Sequence, residues 1–370
     1  MSLEVIYVTR HGFRSPWGVD PATGNYTAFV RSPTGLPTDP PLTSHGVEQA
    51  SELAQHLLKL DPPIEQVYSS PYYRCLQTIQ PFVSLRRGSM QVRGQTSTSN
   101  SGEDSFRIRP DKGLSEWYGL AHFSHPTAAS LDELQTFFPE LDANYVSSPA
   151  PSPNGELIPE LYDRVAACIQ AIIERSDREG KKAILVCTHA AVIIALGRVL
   201  TGQLPEDATK EDFGAFTCGL SIYRRQGSDR SEPVTALTTK RTTLSRGKMY
   251  DNDAICGQMQ DREARSKAIL QTDSLCNVDR HPSDTQGPES AVPWSSGWSA
   301  YGGWTCEVDS DCSFLRHGKE RGWKFSGDES FIDVDRQGLP PLYDGVGSKL
   351  ATGETKLESG HDSSGGNSKL

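Results

Sequence analysis

The chain has 370 residues, 36% hydrophobic and 23% charged, so its length allows one large domain or two small ones with a substantial core. Asp and Glu outnumber Lys and Arg by 47 to 37, and the formal net charge of -10 disfavours direct binding to nucleic acid. The first residues lack a basic region before an apolar stretch, and no stretch reaches the roughly 20 apolar residues of a membrane span. We therefore expect a protein that is neither secreted nor membrane-bound and that resides in the cytoplasm, the nucleus or both.

The eight cysteines show no Cys-x-x-Cys spacing and have no histidine at zinc-finger distance. This pattern argues against a zinc site. It fits a reducing intracellular compartment better than a disulfide framework.

Apolar runs typical of buried strands occur at residues 3–9, 64–68 and 183–188. Helical patterns follow them, and we predict that Thr43 caps the first helix while Ser70 and Pro71 occupy the N-cap and N1 positions of the second. The third helix is predicted over 190–200, and two further helices over 131–138 and 161–173. Strands alternating with helices predict an α/β fold with a largely parallel sheet.

The segments between these elements set the predicted domain organisation. A Pro- and Gly-rich surface loop is expected over 18–41, a polar loop over 86–104, and an edge strand around Phe106 and Ile108. We predict a core domain over 1–225, a mobile insert or linker over 226–290, and a disordered tail over 336–370. Residues 291–335 regain aromatic side chains and are expected to rejoin the core as short strands.

Side chains that can carry positive charge follow all three strand-like runs. Arg10 and His11 follow the first, Arg74 the second and His189 the third. Ligands bind at the carboxyl ends of the strands in open α/β sheets, and helix N-termini at that edge favour phosphate. Each residue alone is a weak signal, because a loop Arg-His pair or a lone Arg is more often structural or solvated. Their convergence at one edge predicts an anion site.

The motifs that carry these residues resemble the histidine phosphatase superfamily in both order and spacing, over roughly the first 225 residues. They are Arg10-His11-Gly12, Ser69-Ser70-Pro71 with Arg74, Gly113-Leu114-Ser115-Glu116, Asn154-Gly155-Glu156 with Arg164, and Thr188-His189-Ala190. The resemblance implies a three-layer α/β sandwich with a mainly parallel central sheet, the phosphoglycerate-mutase-like fold.

The resemblance also implies a role for each motif residue. His11 would be a neutral nucleophile that attacks phosphorus, with its other ring nitrogen held by a backbone carbonyl. Arg10, Arg74 and His189 would bind the phosphoryl oxygens, so that neither a metal nor another cofactor is required. Glu116 would act as acid and then base. Because a neighbouring phosphate raises the pKa of a carboxyl group, we expect the highest activity at mildly acidic pH.

Other side chains near the motifs leave alternatives open. Arg14 is either a further phosphate contact or an exposed loop arginine. Aromatic residues flank the motifs and could select a bulky phosphate ester, although ordinary packing is the favoured interpretation for most of them. These are Phe13, Trp17, Tyr72, Trp117 and Tyr118.

Within the superfamily, residues 7–15, 70–78 and 312–325 resemble fungal proteins related to the tau 55 kDa subunit of transcription factor IIIC. That subunit carries a C-terminal β-barrel, for which the roughly 35 residues after Asp335 are too few. We therefore expect a stand-alone phosphomonoester hydrolase with a phosphorylated substrate of unspecified identity. One alternative is an interaction module of the RNA polymerase III machinery, with transcription factor IIIC subunits as partners. The other alternative is a phosphoglycerate mutase. The Pro-rich loop over 18–41 and the insert over 226–290 do not resemble the mutase branch of the family.

Overall fold

The computed structural model describes residues 2–92, 106–227 and 302–326. Most of the predicted polar loop, nearly all of the predicted insert and the predicted tail lie outside these residues. The helices are α1 Ser44–Leu57, α2 Tyr73–Val92, α3 Leu131–Phe137, α4 Ile158–Arg178 and α5 Ala190–Thr201, with a 3-10 turn at Lys112–Leu114. The strands are β1 Val5–Arg10, β2 Trp17–Val19, β3 Tyr26–Ala28, β4 Gln66–Ser69, β5 Ile108–Pro110, β6 Ala183–Thr188, β7 Leu220–Arg225 and β8 Trp304–Asp311.

The described residues form a mainly parallel central sheet with the strand order β5-β4-β6-β1-β7-β8. The first four of these strands run parallel to one another. β7 pairs antiparallel with β1, and β8 pairs antiparallel with β7 at the edge. The predicted sheet type is therefore confirmed.

Both faces of the sheet are covered by helices. Because successive strand residues face opposite sides, Val5 and Tyr7 of β1 join an apolar cluster with residues of α1 and α2. Ile6 and Val8 join a second cluster with residues of α4 and α5. All six residues of β1 are buried, which explains the apolar run over its first four residues. The arrangement is the predicted three-layer α/β sandwich.

The register of the parallel strands aligns their carboxyl ends. Arg10 at the end of β1 pairs with Thr188 at the end of β6, and Ser69 of β4 pairs with Cys187. The residues that follow these three strands are therefore brought to the same edge of the sheet. This edge carries the candidate site.

The predicted loop over 18–41 contains a small hairpin that the Pro and Gly content concealed. β2 and β3 pair antiparallel, and the turn between them is closed by a hydrogen bond from Asp20 N to Asn25 O at 3.0 Å. Gly24 takes a φ of +69°, which a glycine adopts without strain. The expectation that this segment contains no helix is confirmed.

Both predicted ends of α2 were wrong. The helix begins at Tyr73 rather than beside Ser70, and the carboxylate of Asp39 accepts hydrogen bonds from the backbone N–H groups of Tyr73 and Arg74. Its cap comes from a distant loop, which local sequence does not reveal. At the other end, residues predicted as loop from Arg86 continue the helix to Val92, as the helix-forming Arg, Met and Gln residues there favour.

Residues 302–326 contribute one strand, β8, and an irregular segment after it. β8 lies beside β7, and Phe325 packs into the cluster of α4 and α5. The predicted domain boundaries stay predictions. Within the described part of the chain, no helix has both the length and the apolar character needed to cross a membrane.

Candidate active site

His11 lies directly after β1, and its imidazole is 1% exposed. The backbone N–H donates to Thr188 O at 3.0 Å, which ties the residue to β6. Nδ1 lies 2.9 Å from Gly12 O, so Nδ1 carries the proton and Nε2 keeps its lone pair. Burial, together with the positive charges of Arg74 and Arg10, holds the pKa of His11 well below its usual range. The ring is therefore neutral, as a nucleophile requires.

Arg10 is the last residue of β1, directly before His11, and its side chain is buried. Nη1 donates to the carbonyls of Ala215 at 2.6 Å and Arg321 at 2.5 Å. Nε is buried and finds no partner among the described residues. Burial lowers the pKa of Arg10 to about 10, so the group remains cationic at neutral pH. It presents an unused donor inside the site.

Arg74 lies in the first turn of α2 and is completely buried. Nη1 donates to Thr38 O and to the Asp39 carboxylate, while Nη2 donates to the Glu116 carboxylate at 3.0 Å. Although burial opposes the charge, Asp39 and Glu116 outweigh it and raise the pKa of Arg74. Its Nε also has no partner within the described chain. Arg74 is therefore a permanent cation, fixed just beyond the carboxyl end of β4.

His189 forms the junction between β6 and α5 and is fully buried. Nε2 lies 2.8 Å from Ser70 Oγ, and Nδ1 lies 3.2 Å from Glu116 Oε2. Its ring centroid is 5.4 Å from that of His11. Burial disfavours the charged ring, but the neighbouring Cys75 and Glu116 outweigh this and raise the pKa of His189. A protonated His189 can direct an N–H at Nδ1 into the site.

Glu116 follows the 3-10 turn, on a loop that other side chains hold in place. Arg164 donates to the carbonyls of Gly113 at 2.7 Å and Ser115 at 3.1 Å, and it forms a two-point ion pair with Glu156. Burial raises the pKa of a carboxyl group, but His189 and Arg74 lower the pKa of Glu116 below its usual value. In this structure Glu116 is ionised. The raised pKa expected beside a phosphate concerns the bound form and stays a prediction.

Arg14 lies next to the same group of residues. It is 7% exposed, so the alternative of an exposed loop arginine is wrong. Its positive charge contributes to lowering the pKa values of His11 and Glu116. Its guanidinium also lies 5.5 Å from the centre of the Trp17 ring. A direct phosphate contact by Arg14 is a proposal that this position supports.

The five flanking aromatic residues do not form one wall. Tyr72 lies against the His189 ring at 5.0 Å, and its hydroxyl is 3.2 Å from that of Tyr118. Tyr118 in turn packs with Trp17 in a small cluster that includes the hairpin. Trp117 packs instead against Phe325, and its indole donates to Glu156 O. For Trp117 the favoured interpretation of ordinary packing is confirmed.

The structure therefore brings Arg10, His11, Arg74, His189 and Glu116 together at one edge of the sheet. Two contributors were not predicted from the sequence. The buried carboxylate of Asp39 comes from the Pro-rich loop, and the carbonyl of Arg321 comes from the segment after β8. Neither position carries a local signal that would have revealed its role.

Three of these side chains could in principle ligate a metal ion. Within the described residues, His11, Glu116 and His189 bring ligand atoms within 4.8 Å of one another. However, Arg74 Nη2 already lies 3.0 Å from both Glu116 Oε2 and His189 Nδ1. With Arg10 beside it as well, the surroundings are cationic and favour an anion.

Comparison with known proteins shows the family to which this chain belongs. Residues 6–232 match the model of the histidine phosphatase superfamily, branch 1, and this chain belongs to that family. It is 35% identical over 233 residues to the transcription factor tau 55 kDa subunit of Saccharomyces cerevisiae, over 60% of this chain and 48% of that protein. It is 30% identical over 228 residues to the ecdysteroid-phosphate phosphatase of Drosophila melanogaster, over 55% of this chain and 28% of that protein. The matched part thus spans less than half the length of these relatives.

Solved structures with a similar fold include the ecdysone phosphate phosphatase from Bombix mori in complex with tungstate. It has 21% sequence identity and a TM-score of 0.43, and the match covers 68% of this chain and 99% of that one. A phosphoglycerate mutase from Bacillus anthracis has 19% identity and a TM-score of 0.34, with 60% and 89% of the two chains covered.

Proposed function

We propose that this chain is a phosphomonoester hydrolase that works through a phosphohistidine intermediate on His11. The observation that carries the proposal is a buried neutral imidazole with a free Nε2, beside two buried guanidinium groups whose Nε donors lack a partner in the described chain. A phosphoryl group has the charge and the acceptor oxygens that these donors require.

In the first step, Nε2 of His11 attacks phosphorus and the bond from phosphorus to the ester oxygen breaks. Arg10, Arg74 and His189 donate hydrogen bonds to the non-bridging oxygens and stabilise the charge that develops there. Glu116 gives a proton to the departing oxygen, which leaves as an alcohol. The fixed positions of these donors mean that little reorganisation accompanies the transfer.

In the second step, water attacks the phosphohistidine. Glu116, now a carboxylate, takes a proton from this water, the bond from phosphorus to nitrogen breaks, and inorganic phosphate is released. His11 returns to its neutral form with Nδ1 still held by Gly12 O. The charges on His189 and Arg74 keep Glu116 ionised, which suits its role as base.

The role of Glu116 as acid requires the bound phosphate to raise its pKa. A dianionic ester placed between Arg10 and Arg74 would offset their positive charge at the carboxyl group, and its own negative charge would favour the protonated form. We infer that the substrate brings about the protonation state that the first step needs.

A phosphate-release screen over aryl phosphates, alkyl phosphates and nucleotides tests this proposal. We expect turnover of at least one class and its complete loss in His11→Ala, while His122→Ala, an exposed histidine on a neighbouring loop, should retain it. Turnover that survives in His11→Ala would contradict the proposal. Activation by a bisphosphate primer, with return transfer to a second acceptor, would indicate a mutase instead.

We propose a second role on a separate observation, the 35% identity to the tau 55 kDa subunit. The relative's name supports association with other subunits of a transcription factor complex, and with it a nuclear location. Affinity purification of the tagged full chain tests this role. Recovery of such subunits by both the wild type and His11→Ala would show that association is independent of catalysis, whereas recovery of none would contradict it.

A further inference from the structure

Residues 315–326 lie beyond the part of the chain that matches the family model, yet they contact the candidate site. The carbonyl of Arg321 accepts a hydrogen bond from Arg10 Nη1 at 2.5 Å. The only other described acceptor for this nitrogen is Ala215 O, at 2.6 Å. These two carbonyls fix the orientation of a guanidinium whose Nε is buried and has no partner in the described chain. The segment therefore sets where the unused donor points.

Glu320 anchors this segment to helix α1. Its Oε2 lies 2.5 Å from His45 Nε2 and accepts a hydrogen bond from Gln49 Nε2 at 2.7 Å. Its carbonyl accepts from Thr217 N at 3.1 Å, two residues after Ala215. The side chain and the backbone of Glu320 thus connect the Arg321 carbonyl to α1 and to the chain around Ala215.

Contacts and backbone conformation restrict the turn at Arg321 and Gly322, next to Glu320. Arg321 has a φ of +49°, a left-handed conformation that residues other than glycine rarely adopt. A Cβ atom on Gly322 would lie 2.6 Å from the Phe216 ring, so the chain passes that ring closely. Arg321 also places its guanidinium 4.5 Å from the centre of the Phe13 ring, two residues after His11. A turn held at several points in this way can fix a carbonyl accurately.

We propose that residues 315–326 are a positioning element of the phosphate site, in which the Arg321 carbonyl orients Arg10 and Glu320 holds that carbonyl in place. This proposal rests on the proposed function, because it assigns Arg10 to a phosphoryl group. Hydrogen bonds from a guanidinium to phosphate depend on direction, so a rotated Arg10 keeps its charge but loses its fit. Glu320 is a positioning residue that acts through Arg10.

The test compares Glu320→Ala with Glu320→Gln in the full chain. We expect Glu320→Ala to weaken the affinity for inorganic phosphate, measured by calorimetry, and to lower kcat/KM, each by about tenfold to a hundredfold, as a small misplacement of a positioning group does. Glu320→Gln keeps an oxygen that can accept from Gln49, and it should recover part of both losses. Glu307→Ala, which removes an exposed carboxylate from β8, the strand that precedes this segment, should leave both values unchanged.

Arg10→Ala separates this proposal from the proposed function. Loss of phosphate affinity in Arg10→Ala together with wild-type affinity in Glu320→Ala would overturn the positioning role alone. Wild-type phosphate affinity in Arg10→Ala would overturn the phosphate site itself. If Glu320→Ala fails to fold, Gly322→Ala displaces the same turn through Phe216, and we expect it to weaken phosphate affinity in the same direction. Unchanged affinity in that variant would also overturn the proposal.

Discussion

Glu116 has two opposite tasks in the proposed reaction, because it donates a proton in the first step and accepts one in the second. We expect Glu116→Gln to keep the geometry of the loop but to lose both proton transfers. General acid and base catalysis contributes about 10²–10⁴-fold, so kcat should fall within that range on alkyl phosphates. The loss should be smaller in the first step with 4-nitrophenyl phosphate, whose leaving group needs no proton. Pre-steady-state release of the leaving alcohol from both esters reports the first step and measures the difference, and equal losses would contradict the acid role.

The pH dependence follows from the titration of three buried groups. The pKa of His11 is held well below its usual value, so His11 stays neutral and does not limit the rate in mildly acidic solution. The pKa of His189 is raised, and the bound form of Glu116 must also be protonated, so both groups lose the proton they need as the pH rises. We therefore expect activity to be highest at mildly acidic pH and to decline on the alkaline side.

The measurement is the rate of phosphate release between about pH 5 and pH 9, at saturating substrate so that the profile reports the bound enzyme. In Glu116→Gln the alkaline decline should weaken, because one of the two titrating groups is gone. A flat profile in the wild type would count against Glu116 as the acid.

The loop that carries Glu116 depends on a buried ion pair between Arg164 of α4 and Glu156. Arg164 and Glu156 are 7% and 6% exposed at their side chains, and Arg164 also donates to two carbonyls of the loop. Arg164→Ala leaves the Glu156 carboxylate buried without its partner. We expect the free energy of unfolding to fall by about 3–5 kcal/mol. Catalysis should fall as well, because Glu116 is no longer held.

Chemical denaturation and phosphate release measure these two effects separately. Arg164→Lys should restore part of the stability but little of the activity, since an ammonium group cannot reproduce the forked contacts of a guanidinium. Arg224→Lys is a suitable control, because its ion pair with Glu307 is exposed. Full activity in Arg164→Ala would show that the loop holds its position without this pair.

Residues 302–326 pack against the core, with β8 beside β7, even though a long stretch of sequence separates them from it. Gln226 N donates to Gly303 O at 3.0 Å, so the two ends of the undescribed stretch 228–301 meet. We propose that this stretch is an insert into a single phosphatase domain. A chain with residues 228–301 replaced by a short glycine linker should keep its thermal stability and its phosphate release.

A chain that ends after residue 226 provides the matched comparison. It lacks β8, which covers β7, and it lacks the Arg321 carbonyl that contacts Arg10. We expect a lower melting temperature and a large loss of phosphate release in this shorter chain. Equal behaviour of the two shortened chains would contradict the assignment of 302–326 to the domain.

Whether a site residue could be predicted from the sequence depends on whether its position is set by neighbouring residues or by residues far away in the sequence. Arg10, His11, Arg74 and His189 follow short apolar runs, and the geometry of parallel strands then brings them to one edge, so their convergence was predictable. Asp39 and Arg321 reach the site from irregular segments without a periodic pattern, and their contacts depend on tertiary packing. The same reason explains the misplaced start of α2, because Asp39 rather than Ser70 supplies the acceptors for its first N–H groups.

In the proposed reaction, His11 carries the phosphoryl group during turnover. The most direct measurement is mass spectrometry of peptides from the enzyme quenched in alkali during turnover of an ester that it hydrolyses, since phosphohistidine survives alkaline conditions. We expect phosphate on His11 in the wild type and none in His11→Ala, which should also release no phosphate. An enzyme that turns over this ester without phosphate on His11, and whose His11→Ala variant remains active, would exclude His11 as the nucleophile.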